Sequence, residues 1–303
     1  MAEHSALVAR HLTKVIGKRT IVEDVSFELR QGEVFGFLGP NGAGKTTTIR
    51  MLVGLIRPTS GSVTICGYDQ RHQFEQAMRC VGCIVENPDL YRFMTGRENL
   101  EHFARMLGAE RAQIDAVATR VNMAHRLDQR VGTYSLGMRQ RLGIAQALLG
   151  HPKVLILDEP ANGLDPAGIR EMRELLRSLA REQNLAVFVS SHQLAEIELM
   201  CDRVAIIHRG RILKDGSVRE LISDNRMMEF RVDDVTRAVN IIERNGVSTT
   251  TDGDRIFAAI EEADTPPLVA ALAQDGVAIY HAQQRVQTLE EMFLEATGGE
   301  TVG

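Results

Sequence analysis

Tryptophan is absent from this 303-residue chain, and aromatic residues make up only 5% of it. Stacking platforms of the kind that hold single-stranded nucleic acid are therefore scarce. Basic residues are in the minority too. The 35 Lys and Arg against 40 Asp and Glu leave a net charge of −5, which argues against a nucleic-acid-binding surface. No run of about 18 apolar residues occurs, so no segment is expected to span a bilayer as a helix. Met1-Ala2-Glu3-His4 does not open a basic leader with an apolar core, so no secretion signal is expected. Cysteine is sparse: Cys66, Cys80, Cys83 and Cys201 suit a reduced compartment. Cys80-Val81-Gly82-Cys83 has CxxC spacing, yet no second pair lies near enough in sequence to complete a tetrahedral zinc shell. Ordinary buried thiols are expected there.

What the chain does have is a complete phosphate-binding loop. Gly39-Pro40-Asn41-Gly42-Ala43-Gly44-Lys45-Thr46 matches GxxxxGK[ST]. Gly39, Gly42 and Gly44 are expected to turn with positive φ and to bring backbone N–H groups within reach of phosphate oxygens. Lys45 offers an ammonium to the β- and γ-phosphates, and the Thr46 hydroxyl suits the shell of Mg²⁺. Val34 to Leu38 reads as a buried strand entering the loop, and Thr47 to Leu52 as a helix leaving it with its N-terminus toward the phosphates. Val154 to Leu157 is a second apolar strand, ending in the paired carboxylates Asp158 and Glu159. Ligands of such sheets sit at the carboxyl ends of the strands. That places Asp158 to hold Mg²⁺ and Glu159 to polarise an attacking water. A helix cap before Pro160 is the bland alternative.

Further on stand Tyr134-Ser135-Leu136-Gly137-Met138-Arg139-Gln140, Asn162-Gly163-Leu164-Asp165-Pro166, and Val187-Phe188-Val189-Ser190-Ser191-His192. Ser135 and the N–H groups after it open an amphipathic helix (Leu142, Ile144, Ala145, Ala147, Leu148) and offer a second anion site. Alone, this would be no more than a capped helix start, and His192 a satisfied core histidine. With these motifs in this order, the chain resembles the ATP-binding subunit of an ABC transporter from about Leu7 to about Leu221.

The resemblance implies an α/β fold: a P-loop NTPase cassette with a mixed-sheet core and a helical subdomain at about residues 88–150. It implies ATP and Mg²⁺ as ligands and a homodimer sandwiching two nucleotides. A separate membrane permease would alone contact the small-molecule cargo, and it would hold the chain at the cytoplasmic face of the membrane. Nucleotide contacts would fall on Gly39, Pro40, Asn41, Gly42, Ala43, Gly44, Lys45, Thr46 and Thr47, on Ile16, and on Ser135 and Gly137. The catalytic set would be Glu159, His192, Lys45, Ser135 and the D-loop Asp165. Metal ligands would be Thr46, Asp158 and Glu86.

Three departures from the family pattern stand out. Ile16 occupies the loop that normally offers an aromatic ring to adenine, so looser base discrimination is expected. Glu86 replaces the usual Q-loop glutamine and adds negative charge beside the phosphates. The signature reads Ser-Leu-Gly-Met where Ser-Gly-Gly-Gln is usual. The Glu86 and Ser-Leu-Gly-Met variants resemble the bacitracin-type branch of drug and lantibiotic exporters. Two other readings fit less well: a soluble ABC ATPase acting on translation or DNA, and a cassette driving a non-transport membrane signalling or cell-wall complex.

The length suits one large and one small domain, residues 1–222 and 223–303. Thr95 to Leu107 and Ile114 to Val117 read as helices, followed by Met123 to Leu127. Tyr91, Phe93 and Met94 are apolar residues in a polar loop, which the resemblance assigns to permease contact; packing of the loop on its own domain is the bland alternative. Beyond Gly216 the expected order is strand Met227–Val232, helix Val235–Ile242, strands Val247–Thr251 and Arg255–Ile260 flanking Asp252-Gly253, a helix from Pro266 and strand Val277–Ala282. This βαββαβ order predicts a small α+β ferredoxin-like domain, closed by helix Leu289–Ala296. It resembles the accessory domain of daunorubicin-resistance-type ATPases, with a role in dimer contact or regulation, or else as a passive stabilising domain.

Overall fold

The computed structural model describes residues 5–223, 226–260, 262–286 and 288–296. The chain forms two compact units, the first running to Gly216 and the second from Ser217 to Ala296. The first opens with β1 (Ser5–Ile16), β2 (Arg19–Arg30) and β3 (Val34–Leu38). After the phosphate loop come α1 (Lys45–Leu52), β4 (Ser60–Ile65), β5 (Tyr68–Asp69), α2 (Phe74–Arg79) and β6 (Val81–Ile84). Three helices follow: α3 (Gly96–Leu107), α4 (Arg111–Arg120) and α5 (Leu136–Leu148). The unit closes with β7 (Val154–Asp158), α6 (Pro166–Gln183), β8 (Ala186–Ser191), α7 (Leu194–Met200), β9 (Arg203–His208) and β10 (Arg211–Ser217).

Two sheets build this unit. An antiparallel one runs β2-β1-β4-β5, and a six-stranded one runs β10-β9-β3-β8-β7-β6, with β9, β3, β8, β7 and β6 paired in parallel. Strands β3, β7 and β8 are buried along their whole length, which is why they read as unbroken apolar runs rather than alternating ones. Phe27 from the antiparallel sheet packs on Phe35, Phe37 and Phe188 of the parallel one, with ring centroids 5.5, 5.4 and 5.8 Å away. This aromatic cluster, together with Ile49, Met51 and Leu52 of α1, fixes the phosphate loop between the two sheets.

The helical stretch starts at a capping box. The Thr95 hydroxyl accepts from the Glu98 N–H at 3.1 Å, and Glu98 Oε2 accepts from the Thr95 N–H at 2.7 Å. The stretch Met123–Leu127 yields only a single 3₁₀ turn, Ala124–Arg126. Ser135 caps α5, its Oγ accepting from the Met138 N–H at 3.2 Å. Among the described residues, no helix is long and apolar enough to cross a membrane. All four thiols are free, but only Cys201 is buried. Cys66 and Cys80 are half-buried, and Cys83 is exposed on the edge strand β6. Uniformly buried thiols are therefore not what the fold provides. Burial pushes the Cys66 thiol up to about 12, so it stays protonated.

The second unit runs α8 (Val218–Ser223), β11 (Arg226–Val232), α9 (Val235–Arg244), β12 (Thr249–Asp252), β13 (Arg255–Ala258), α10 (Thr265–Gln274), β14 (Ile279–Val286) and α11 (Leu289–Ala296). Its antiparallel sheet has the order β12-β13-β11-β14. Met228, Phe230, Val232, Ile256 and Ala258 form its core with Ile241 and Ile242 of α9 and Leu268 and Leu272 of α10. The hairpin loop is Gly253-Asp254, one residue later than expected, with Gly253 at φ +60°. Strand β14 runs on to Val286 because it pairs with β11 along its length, from Ile279↔Val232 to Val286↔Arg226.

Candidate functional site

The phosphate loop joins β3 to α1, and its glycines are there for two different reasons. Gly42 and Gly44 have φ of +79° and +110°, as a tight left-handed turn demands. Gly39 does not share that conformation. A Cβ at Gly39 would sit 2.2 Å from the carbonyl oxygen of Ile207 on β9, so it is required by close backbone approach. Pro40 O accepts from the Ala43 N–H at 3.1 Å, and Gly44 O accepts from the Thr48 hydroxyl at 2.9 Å, shaping the loop from within. Asn41 and Gly42 are exposed, Ala43 is buried, and Thr46 and Thr47 are half-buried on the first turn of α1. Lys45 is 5% exposed and donates from Nζ to Gly39 O at 2.7 Å. Burial holds its ammonium below the usual lysine range, against the opposing pull of Glu159 and Asp158.

The ends of β7 and β8 bring the acids to that lysine. Glu159 Oε1 lies 3.4 Å from Lys45 Nζ, and Glu159 Oε2 lies 2.6 Å from His192 Nδ1. Glu159 has φ +51°, a left-handed backbone that a non-glycine residue adopts only when its surroundings hold it. Ser190 supplies that hold. Its Oγ accepts from the Glu159 N–H at 3.0 Å and donates to Asp158 Oδ1 at 2.5 Å, and its carbonyl lies 3.2 Å from the same N–H. Asp158 is 5% exposed and Ser190 fully buried. Glu196 on α7 lines the cleft with Glu159 and His192, and burial raises its carboxyl above the usual range while His192 opposes. Neither Ser190 nor Glu196 is assigned a role by sequence pattern. For Ser190 the available signal is its place as the second-to-last residue of an apolar strand, two residues before His192.

The remaining expected site residues stand apart from this group. Among the described residues, no hydrogen bond or ion pair joins Glu86, Ser135, Gly137, Asp165 or Ile16 to Lys45, Asp158, Glu159 or His192. Glu86 is the clearest departure from expectation. Its carboxylate accepts from the Arg50 guanidinium at 2.5 Å, so the charge expected beside the phosphates is offset by a cation on α1. Asp165 caps α6, its Oδ1 accepting from the Gly168 N–H at 2.9 Å. Ile16 is 55% exposed at the end of β1. Ser135 is exposed, and the segment after it packs beside the D-loop of the same chain. A Cβ on Gly163 would meet Leu136 Cδ2 at 3.1 Å, and one on Gly137 would meet Leu164 Cδ2 at 3.6 Å. Leu136, unusual in this motif, thus covers the D-loop glycine.

Comparison with known proteins gives the family. Residues 22–162 match the family model described as ABC transporter. An uncharacterized ABC transporter ATP-binding protein of Bacillus subtilis, YhcH, is 48% identical over 97% of this chain and 96% of its own length. The bacitracin transport ATP-binding protein BcrA of Bacillus licheniformis is 42% identical, over 96% of this chain and 97% of its own. The solved structure of cbiO1 from Clostridium perfringens, part of an ABC transporter complex, is 26% identical with a TM-score of 0.68, covering 80% of this chain and 98% of that one. The chain belongs to the ATP-binding proteins of ABC transporters: it binds ATP, couples its hydrolysis to transport, and works with membrane permease components.

Proposed function

We propose that this subunit drives export of an antibiotic or related compound, and that Glu159 is the base of its ATPase reaction. The observation that carries the second part is the Glu159 carboxylate shared between Lys45 and His192 beside the buried Asp158. Phosphoryl transfer needs charge neutralisation and an oriented water more than covalent help. Glu159 takes the proton of the attacking water, and His192 holds that carboxylate in register. Lys45 leaves the Gly39 carbonyl and Glu159 for the β- and γ-phosphates, while backbone N–H groups from Gly39 to Thr47 cradle the chain of phosphates. Asp158 and the Thr46 hydroxyl are hard oxygen donors of the type Mg²⁺ prefers, and Ser190 occupies only one of the Asp158 oxygens. When bound, Mg²⁺ supplies positive charge at the phosphate oxygens.

Ser135, exposed, and Gly137, half-buried, at the N-terminus of α5 suit the γ-phosphate of ATP held by a second copy, with Asp165 beside them. Two copies would then enclose two nucleotides, each ATP meeting the phosphate loop of one chain and Ser135 of the other. Ile16 gives the base an apolar contact without a ring. Tyr91 and Phe93, 40% and 71% exposed, offer the permease an aromatic surface. Asn99 stiffens that segment, accepting from the Tyr91 N–H at 2.8 Å and donating to Tyr91 O at 3.1 Å. The subunit then sits peripherally on the cytoplasmic face, and the permease alone meets the cargo. Export of an antibiotic rests on the likeness to the bacitracin transport protein across nearly the whole chain.

We read residues 1–222 as the cassette and 223–303 as an accessory domain of ferredoxin-like type. The β-α-β-β-α-β order and the strand order β12-β13-β11-β14 support that reading. Its use is dimer contact or regulation. Glu159→Gln should lower steady-state phosphate release by about 10²–10⁴-fold, the range for loss of a general base. ATP-dependent dimerisation, followed by light scattering, should survive. Wild-type hydrolysis by that variant would remove Glu159 from the role.

A further inference from the structure

The sheet of the second unit has a face that its core does not occupy. Met228, Phe230, Ile256 and Ala258 point into the apolar core under α9 and α10. Residues between them along β11 and β13 therefore face the other way. There Thr250 pairs with Phe257, Phe257 with Glu229, and Met227 with Arg285 across the strands. On this face opens a cavity of about 280 Å³ with an apolar wall of Met227, Phe257 and Leu294. Its polar lining includes Thr250, Asp252, Arg285 and Glu291. That volume lies just below the range of about 300–1,000 Å³ for small-molecule pockets.

The charges around it do not cancel. Arg285 lies over the Phe257 ring at 5.1 Å, pairs with Glu291, and sits 3.8 Å from Glu229. Arg255 lies 3.4 Å from the same Glu229, which is buried beneath them. Two guanidiniums are thus matched by two carboxylates. Asp252, on the edge strand β12, makes no side-chain hydrogen bond or ion pair among the described residues. An anion entering the cavity would find both arginines engaged and a carboxylate at the rim. A cation would find Asp252 without an ion pair, its cross-strand neighbour Arg255 engaged by Glu229, and the Thr250 hydroxyl ready to accept. We propose that this cavity binds a compact organic cation, an ammonium carried on an apolar or aromatic body. The body would lie against Phe257, Met227 and Leu294, with the ammonium at Asp252.

The absence of tryptophan makes the test direct. In the full chain, Phe257→Trp places the one indole in the cavity wall, and phenethylammonium is the probe. A saturable fluorescence change is expected, weakened about tenfold or more by adding Asp252→Asn, the loss of one ion pair. Calorimetric titration of the unsubstituted chain should give binding of the same order, which guards against a misfolded reporter. The shape-matched anion 3-phenylpropionate should not bind. No saturable signal for phenethylammonium by calorimetry up to roughly 10 mM would overturn the proposal. So would equal binding by Asp252→Asn or by 3-phenylpropionate. No nucleotide enters these measurements, so they stand or fall apart from the reading of the ATPase site.

Discussion

The two units bury charge in opposite ways. In the cassette, Lys45 and Asp158 are almost fully enclosed at the ends of strands, and the ammonium has a carbonyl and a carboxylate 3.4 Å away in place of water. In the second unit the residues buried between sheet and helices are apolar, and Glu229 lies on the other face between two guanidiniums. A buried charge without full compensation costs stability, and a fold keeps one where chemistry needs it. The cassette therefore shows its function in its least comfortable residues. The second unit, whose buried carboxylate is matched, shows only its packing until the rim of its cavity is considered.

The largest expected effect tests whether packing is all that the second core contributes. Phe230 is fully buried there, and Phe230→Ala should cost about 3–5 kcal/mol of that unit's stability. A Tyr280→Trp reporter in the same unit would follow the loss in denaturant. Phosphate release, measured where the variant remains folded, should stay within about twofold, as for energetically independent sites. A collapse of ATPase activity under those conditions would erase the contrast between the units.

Lys45→Met probes the other side of it. A charged donor to phosphate is worth about 1.5–3 kcal/mol, so ATP affinity should fall by roughly tenfold to a hundredfold. Stability of the nucleotide-free protein should not fall. Because burial holds the ammonium below its usual 10.5, the folded chain binds fewer protons than the unfolded one between its folded value and 10.5. Wild-type stability must then climb as pH rises through that window, and the cost of the buried charge is fully present below it. Denaturant midpoints of Lys45→Met should lack the climb and match or exceed wild type near neutral pH. A clear drop at neutral pH would mean that the lysine stabilises the empty site. Ser190→Ala should act more mildly. It strips the Asp158 carboxylate and the Glu159 N–H of one partner, costing about 1–3 kcal/mol, and should slow turnover about tenfold through misplaced acids.

Most of the cassette could be read before any coordinates, because phosphate chemistry demands residue types at fixed spacings. The strand before the loop, the acids at the end of β7 and the histidine after β8 are of that kind. What escaped the sequence are contacts whose partners lie far apart along the chain. Ser190 meets Asp158 across 32 positions and Arg50 meets Glu86 across 36, and neither pair has a periodicity to announce it. Gly39 looked like a turn residue, but its requirement comes from the backbone of Ile207 on another strand. In the second unit the element types were legible and the edges were not. Strand β14 continues through Gln283 and Gln284, polar residues whose strand identity is set by pairing with Glu229 and Met228 rather than by burial.

Glu86 sharpens the comparison at its small end. With side chains 60% and 44% exposed, Glu86 and Arg50 resemble the surface pair Arg231–Asp254 of the second unit more than the enclosed acids nearby. Such pairs contribute about 0–1 kcal/mol and fade with salt. Glu86→Gln should therefore shift the denaturant midpoint by no more than about 0.5 kcal/mol, and less in high salt. Arg50 loses little by the change, since a cation in the last turn of α1 still faces the helix's negative end. The Mg²⁺ dependence of phosphate release separates two roles. If Arg50 keeps the carboxylate away from the metal, half-maximal Mg²⁺ stays where it was. A rise of about tenfold, the smallest usual effect of a mutated metal-site residue, would instead place Glu86 at the ion and make the pair with Arg50 a resting arrangement that nucleotide undoes.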